Sequence, residues 1–454
     1  MKEFTEEYLD RMRDIAAARN EEEARKELEE MHPADIAELY QSLDLKEAEF
    51  LYDLLDEDTR AEVLMELDED DRRKLLADMP AMEIAKQVID HLDSDEAVDL
   101  IQELDEEDRE EILSHIDDME QAGDILDLLK YDEDTAGGLM GTEMIVVNEN
   151  WSMPECIKQM RMQAEEIDEI YYVYVVDDEE RLKGILPLKT VITHPSVQKI
   201  KSVMEDDPVA VKADTPIDEV ALDFEKYDLV VMPVVDSIGR LVGRITVDDV
   251  MDKVRESSER DYQLASGLSS DVDADDSIWA QTKARIPWLL IGVASGILAS
   301  VILGGFESQL QAVSALALFI PLIGGTGGNV GVQSSAIIVQ GLANGSLDVK
   351  EFGKQVWKEF RIGLLNASVI SLVTFVYNIF FIPDDFAVTM SVTLSLFFVT
   401  MFATLLGTAI PLTFEKFKIN PALATGPFIQ ITNDIIGILI YVYVSSWLLG
   451  MFAA

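Results

Sequence analysis

The chain has 454 residues, with 36 Lys and Arg against 87 Asp and Glu, and its formal net charge is −51, yet its mean hydropathy is +0.10. This combination places the charge and the apolar residues in different segments. From Ile286 onward only six basic and eight acidic residues occur, so nearly all of the charge precedes it. The composition excludes a nucleic-acid partner, because phosphate binding needs clustered Lys and Arg, and it favours cations.

The first 130 residues predict a domain of short helices. Leu55-Asp-Glu-Asp-Thr-Arg60 recurs as Leu67-Asp-Glu-Asp-Asp-Arg72 and again as Leu104-Asp-Glu-Glu-Asp-Arg109. Each acidic run is placed at a helix N-terminus, where the helix dipole favours negative charge. The repeat predicts an all-α, solenoid-like acidic N-domain. The charged first residues lack the apolar core of a secretory signal peptide, so we expect this part to lie in the cytoplasm.

Two segments, one beginning at Tyr171 and the other at Leu229, are similar in sequence; Asp177 matches Asp236 and Gly184 matches Gly243 at a separation of 59 residues. Each predicts a strand, a turn, a second strand and a helix start, preceded by a helix. This α+β pattern resembles a tandem pair of CBS domains, over residues 131–199 and 200–252. The resemblance implies two clefts that can bind adenine nucleotides such as ATP. Thr246 and Asp249 match positions that contact the ribose, whereas the first copy lacks these residue types.

Residues 253–276 continue the last CBS helix and then become rich in Ser and Asp, which predicts a connecting helix. Residues 277–454 predict an all-α membrane domain, because its apolar runs reach the roughly 20 residues that cross a bilayer. The five predicted spans are Ile286–Gly305, Leu310–Ala343, Ile362–Ile382, Phe386–Phe414 and Ala422–Leu449. Basic residues of this part occur in two connections only, so the positive-inside rule places the N-terminus in the cytoplasm and the C-terminus outside.

The second span is rich in glycine. Gly324 to Gly331 holds five glycines in eight residues, and the polar Asn329 and Gln333 accompany them. One interpretation is a loosened helix that lines a wet cavity. The other is a tight helix packing seam, since small residues are enriched at such contacts.

Asp434 is the ionisable side chain of the fifth span, apart from two tyrosines. Placing a carboxylate at the bilayer centre costs about 2.5–3.5 kcal/mol, so such a residue indicates a polar pathway. The alternative is a protonated carboxyl that is hydrogen-bonded to a neighbouring helix. The spans offer no Lys, Arg or His partner, which favours a mobile cation as the counter-charge.

Taken together, the acidic N-domain, the CBS pair, the glycine-rich second span and Asn433-Asp434 resemble the MgtE family of bacterial magnesium channels. The resemblance implies a multi-pass homodimer in the bacterial plasma membrane, with a pore lined by second- and fifth-span helices. It assigns Asp434, Asn329 and Gly328 to the pore. Because Mg²⁺ loses its water reluctantly, such a site is expected to hold the ion through its hydration shell.

The resemblance also implies closure by cytosolic Mg²⁺, which bridges carboxylates that otherwise repel within a Debye length of about 8 Å. The regulatory residues implied are Glu62, Asp95 and Asp99 in the N-domain, Asp218, Asp228, Asp249 and Asp252 in the second CBS copy, and Glu256, Glu259 and Asp261 on the connecting helix. Two residues depart from the family pattern: Arg260 is a basic residue that interrupts the acidic run of the connecting helix, and Asn420 is neutral where the family can carry an acidic residue at the cytoplasmic pore mouth.

Two other functions use parts of the same pattern. An ion-coupled carrier for Mg²⁺, Co²⁺ or Ni²⁺ uses the same membrane residues, and a membrane-anchored nucleotide or metal sensor explains the CBS pair alone. We do not expect an enzyme, because the sequence lacks the spacing of a nucleophile triad and its glycine-rich segment lacks the Lys of a phosphate loop.

Overall fold

A computed structural model describes residues 4–29, 31–77, 79–164, 167, 170–193, 198–270, 272–274, 276–347, 349–381 and 386–453. The chain divides into two compact units, Met1–Val254 and Arg255–Ala454. The observed classes match the prediction, with an all-α N-terminal part, an α+β pair and a helical membrane part.

The N-terminal part is built from short helices around a continuous apolar core. Acidic residues begin several of them; Asp44, for example, forms a capping box with Glu47. In the described residues the helices are α1 (Glu6–Ala17), α2 (Glu21–Leu28), α3 (Pro33–Gln41), α4 (Leu45–Tyr52), α5 (Glu57–Met65), α6 (Glu69–Leu76), α7 (Ala81–Gln87), α8 (Ser94–Gln102), α9 (Glu106–Leu113) and α10 (Met119–Leu128).

The arginine that ends each acidic repeat has a structural role that the charge pattern does not reveal. Nη2 of Arg72 donates to the carbonyl oxygen of Leu67 at 2.9 Å, and Nη2 of Arg109 donates to that of Leu104 at 3.0 Å. Arg60 makes the equivalent bond. Carbonyls at helix ends lack helical partners, so the repeat also satisfies the turn between consecutive helices.

Both CBS copies have the predicted order of elements. The first contains β1 (Ile145–Asn148), α11 (Met153–Gln163), β2 (Tyr172–Val176), β3 (Leu182–Pro187) and α12 (Leu188–Thr193), and β4 (Glu205–Asp206) adds to its sheet. The second contains β5 (Val211–Lys212), α13 (Ile217–Tyr227), β6 (Val231–Val235), β7 (Leu241–Thr246) and α14 (Val247–Ser266). In each sheet a parallel pair is followed by an antiparallel pair with an irregularity at the equivalent valines, which confirms the repeat.

The five predicted spans are confirmed as helices long and apolar enough to cross a membrane among the described residues. The helices are α15 (Ile278–Gly305), α16 (Glu307–Ala312), α17 (Ile320–Ala343), α18 (Phe352–Phe381), α19 (Phe386–Lys416) and α20 (Gly426–Ala453). Helix α19 packs against α17, α18 and α20 and is the most buried span. Helix α18, the third span, begins ten residues before the predicted Ile362, so Glu359 lies within this helix and not in a connection.

Candidate functional site

The carboxylate of Asp434 lies near the middle of the fifth candidate span, Pro421–Met451. It is half-buried and rests on the glycine face of α17. A methyl group built on Gly324 or on Gly328 would lie 3.5 Å from Oδ1 of Asp434. The two glycines therefore let α17 approach the carboxylate closely without covering it.

The glycine run does not interrupt α17, which is continuous from Ile320 to Ala343. The helix is therefore not loosened along this run, and the close contacts of Gly331 favour the packing-seam interpretation. That the face of Asn329 and Gln333 lines a wet cavity stays a prediction. A methyl group on Gly331 would lie 1.9 Å from Nδ2 of Asn433, and one on Gly407 would lie 2.4 Å from the carbonyl oxygen of Gly331. Helices α17, α19 and α20 meet here at distances that only glycine permits.

Beside Asp434, helices α17 and α20 present polar side chains on a face that no other part of the described chain covers. Asn329 and Gln333 on α17 are exposed, as is Gln430 on α20, whereas Gly328 is buried. Exposed amides and a carboxylate at membrane depth are costly in lipid and are found where protein or water covers them. This face is therefore an exposed polar surface of the membrane domain.

The end of α14 contacts the start of α20 within the second unit. Nδ2 of Asn420 donates to Oδ1 of Asp261 at 2.8 Å. A methyl group on Gly426 would lie 1.9 Å from the carbonyl oxygen of Ala265, so the backbones are in close contact. Asn420, one of the two residues that depart from the family pattern, thus takes part in this contact.

The departure at Arg260 is accommodated differently, because its guanidinium forms an ion pair with Glu256 on the same helix. Glu259 lies on the exposed surface of α14. Of the three acidic residues predicted for the connecting-helix segment of α14, Glu256 is therefore partly neutralised by its own neighbour.

In the first unit, carboxylate oxygens of Asp93, Asp95 and Glu143 lie within 4.8 Å of one another. Gly141 lies beside two of them and leaves room for their close approach, since a methyl group there would lie 3.0 Å from both Asp95 Oδ2 and Glu143 Oε2. The backbone N–H of Ser94 donates to Glu143 Oε1 at 2.9 Å and fixes that carboxylate. Oxygen ligands of this kind suit Mg²⁺.

The electrostatics of this acidic cluster favour a bound cation. Burial, together with the charges of Asp249, Glu143 and Asp93, raises the pKa of Asp95 well above its usual range. Burial also raises the pKa of Glu96 to about 7. A divalent ion would relieve the mutual repulsion of these carboxylates.

The surrounding predicted residues belong to the same electrostatic group. Burial raises the pKa of Asp99 to about 6, and Asp249 adds to that shift while Lys253 opposes it. Burial raises the pKa of Asp249 as well. Glu62 contributes to the raised pKa of Glu96. Four of the predicted regulatory residues, Glu62, Asp95, Asp99 and Asp249, thus influence one another electrostatically at this cluster.

Asp218 and Asp228 lie at the two ends of α13, and Asp252 lies on α14; the described acidic cluster does not include them. Sequence reasoning missed Asp93 and Glu143, which are about 50 residues apart in the chain. The available signal was local, because the Asp93-Ser-Asp95 triplet carries two carboxylates at the start of a helix.

The predicted nucleotide residues lie beside the acidic cluster. Oδ2 of Asp249 accepts from the backbone N–H of Thr246 at 3.3 Å and from its hydroxyl group. A separate small cavity in this unit is lined by Glu143, Met144, Ile145, Ile167, Ile170, Tyr171, Tyr172, Tyr174 and Arg244. Nucleotide binding through Thr246 and Asp249 stays a prediction.

The chain thus combines a membrane domain that carries a carboxylate on a polar face with an acidic α-helical and CBS unit. The chain matches the MgtE intracellular N domain over residues 31–134, the CBS domain over 136–196 and 200–256, and the MgtE divalent cation transporter family over 320–444. It is 37% identical to the magnesium transporter MgtE of Thermus thermophilus over 327 residues, 70% of this chain and 71% of that protein. The chain belongs to the MgtE family.

Two solved structures are similar to part of the chain. The soluble part of a magnesium transporter shares 29% identity and a TM-score of 0.50, over 56% of this chain and 99% of that chain. The cytosolic domain of the Mg²⁺ channel MgtE in complex with ATP shares 34% identity and a TM-score of 0.48, over 50% of this chain and 93% of that chain.

Proposed function

We propose that this chain forms a homodimeric Mg²⁺ channel for magnesium uptake, which cytosolic Mg²⁺ closes. The observation that carries the proposal is the carboxylate of Asp434, which lies at mid-span on the open polar face of α17 and α20. Names of relatives as magnesium transporters support the choice of ion.

The open polar face supports the homodimer. A face that carries Asn329, Gln333 and Gln430 cannot lie against lipid without a large cost, and a second copy of the chain supplies an equivalent face. Two such faces around an axis form a polar pathway lined by two Asp434 carboxylates. Amide side chains such as Asn329 then contact the water shell of Mg²⁺, which the ion keeps.

The acidic cluster supports regulation by Mg²⁺. Asp93, Asp95 and Glu143 present oxygen ligands at metal-binding separations, and Asp249 and Asp99 add negative charge. Ion binding there compacts the soluble part, and the contact of α14 with the start of α20 transmits the change to the pore helices. The N-terminus is cytoplasmic and the C-terminus is outside, following the distribution of basic residues.

The pore assignment is tested by Mg²⁺ influx into vesicles that contain the full-length Asp434→Asn variant and a Mg²⁺-sensitive dye. Loss of influx with an unchanged oligomeric state is expected, because the amide keeps the size but removes the charge. Glu307→Gln, which removes an exposed acid on α16, is the matched control. Normal influx through Asp434→Asn contradicts the pore assignment.

The rival function, an ion-coupled carrier, is separated by single-channel recording in planar bilayers. Discrete unitary currents carried by Mg²⁺ support the channel. Influx without unitary currents, together with dependence on a proton or sodium gradient, supports the carrier.

Regulation is tested by limited proteolysis of the full-length protein in millimolar MgCl₂ and in NaCl of the same ionic strength. We expect MgCl₂ to protect the acidic unit far better than NaCl, because only a divalent ion bridges the carboxylates. Equal protection by both salts contradicts specific binding and indicates charge screening alone.

A further inference from the structure

Three exposed basic residues follow one another along the first turns of α18. They are Lys354, Lys358 and Arg361. Their spacings of four and three residues place them within an arc of about 60° on the helix surface. The whole chain has a net charge of −51, so three cations on one helix face are unusual for it. These three residues are called the basic stripe.

The basic stripe has few carboxylates to neutralise it. Nζ of Lys354 lies 2.9 Å from Oε2 of Glu351, and because this ion pair is exposed it is weak. Lys358 and Arg361 form no ion pair within the described part of the chain. Glu359 follows Lys358 in sequence, but it is 3% exposed and lies on the buried face of α18. At least two cations of the stripe are therefore available to an anion outside the chain.

Two general rules do not account for the basic stripe. The positive-inside rule explains basic residues at this end of the span, but it does not require them to share one face of the helix. Helix stability does not explain Lys354, because it lies in the first turn, where the helix dipole disfavours a cation. A bound anion accounts for both the shared face and the position.

The same side of α18 continues into the membrane as an exposed apolar strip. Leu365 and Leu372 lie within the arc of the basic stripe, and they are 66% and 62% exposed. Helix α18 packs on α19 through its opposite side, where a methyl group on Gly363 would lie 3.1 Å from Cβ of Thr404. The apolar strip therefore faces away from α19, toward the surroundings of the membrane unit.

A tryptophan indicates the level of the basic stripe in the membrane. Trp357 lies between Lys354 and Arg361 in the chain, is 62% exposed and stacks on Phe360 with 5.3 Å between ring centroids. Exposed Trp is typical of the membrane–water interface. From Arg361 to Leu372 the helix rises about 17 Å, close to the ~15 Å of hydrocarbon in one leaflet. The stripe and the strip thus have the lengths of a lipid headgroup and an acyl chain.

We propose that the basic stripe binds the phosphate group of an anionic phospholipid in the cytoplasmic leaflet, and that an acyl chain of this lipid lies along Leu365 and Leu372. Arg361 suits a phosphate, because a guanidinium binds two of its oxygens at once, and Lys358 adds a compact charge. A zwitterionic lipid carries the same phosphate, but its ammonium group is repelled by the stripe. The site does not depend on Mg²⁺ transport, so its test is independent of the proposed function.

Binding is measured by native mass spectrometry of the full-length protein released from detergent micelles. The probes are dioleoylphosphatidylglycerol and dioleoylphosphatidylcholine, which have the same acyl chains and differ in net charge. The test variant combines Lys358→Gln with Arg361→Gln. The matched control combines Lys283→Gln with Arg285→Gln, which removes the same two charge types from exposed positions near the start of α15.

We expect phosphatidylglycerol to bind the wild-type protein at least about tenfold more tightly than phosphatidylcholine, because each Lys or Arg beside anionic lipid contributes about fivefold. The test variant should lose at least about tenfold in affinity for phosphatidylglycerol, and the control should stay within about twofold of the wild type. Equal losses in the two variants overturn the proposal, because they indicate general charge attraction. Equal binding of the two lipids by the wild type also overturns it.

Two further measurements use the wild-type protein, so they do not depend on how the variants fold. Millimolar inorganic phosphate should displace no more phosphatidylglycerol than NaCl of the same ionic strength; stronger displacement indicates a site for free phosphate and overturns the lipid assignment. Phosphatidylglycerol should also raise the melting temperature more than phosphatidylcholine, since a ligand of the folded state stabilises it. The same melting temperature in both lipids overturns the proposal.

Discussion

Mg²⁺ binding to the acidic cluster of the first unit is expected to weaken as the pH falls from 8 to 6. Protons compete with the ion for carboxylates whose pKa is raised, and burial raises the pKa of Glu96 to about 7. Where ion binding requires Glu96 to be ionised, protonation at pH 6 lowers the apparent affinity through this one group by at most about elevenfold, against about 1.1-fold at pH 8. Asp99, with a pKa of about 6, adds roughly a further twofold at pH 6.

The assay is a Mg²⁺ titration of the full-length protein at constant ionic strength, followed by protection of the first unit from protease. Glu96→Gln should remove about tenfold of the change between pH 8 and pH 6, because it removes the group that titrates near 7. Glu155→Gln, an exposed acid on α11, should retain the wild-type change. An affinity that is the same at both pH values refutes the reasoning.

The raised pKa of Glu96 also determines the direction in which the stability of the Mg²⁺-free first unit changes with pH. A carboxyl group whose pKa is raised on folding contributes stability that is fully present below its unfolded pKa. That stability is lost as the pH rises through the folded pKa, here through about 7 for Glu96. The Mg²⁺-free first unit should therefore resist unfolding better at pH 5 than at pH 8.

The remaining predictions concern the membrane unit. Gly331→Ala should lower the melting temperature, because a methyl group there would lie 1.9 Å from Asn433 Nδ2 and overpacking costs about 1–3 kcal/mol. Gly296→Ala, with nothing within 4 Å, should leave it unchanged or raise it; equal losses in the two variants contradict the close packing. Asn420→Asp should place a carboxylate beside Asp261, so that opening is favoured at low Mg²⁺ and closure becomes steeper with Mg²⁺. Flux measured against cytosolic Mg²⁺ checks this, and an unchanged curve argues that the contact has no part in gating.

The membrane residues show which features of the site can be predicted from the sequence alone. Asp434 could be found from the sequence, because a lone carboxylate in an apolar run is costly whatever surrounds it. The glycine run was equally visible, but its meaning was not. Glycine both weakens a helix and permits close approach, and only the positions of Asn433 and Gly407 against Gly331 decide in favour of packing.

The acidic residues show which features of the site cannot be predicted from the sequence alone. With 87 Asp and Glu in the chain, charge alone cannot separate a ligand from a solvated surface residue. Asp95, Asp99 and Asp249 were named from the resemblance to the family, whereas Asp93 and Glu143 were missed because the fold brings them together from distant segments.

By itself the sequence determined the elements of this protein: the acidic helices, the repeated CBS pattern, the five spans and the isolated carboxylate. These follow from composition and periodicity, which are local properties of the chain. Only the tertiary structure decided which carboxylates share a cluster, why the second span needs glycine, and that Glu359 is buried within the third membrane helix instead of lying in a loop. Those properties depend on distances between segments and on burial, which arise when the helices pack.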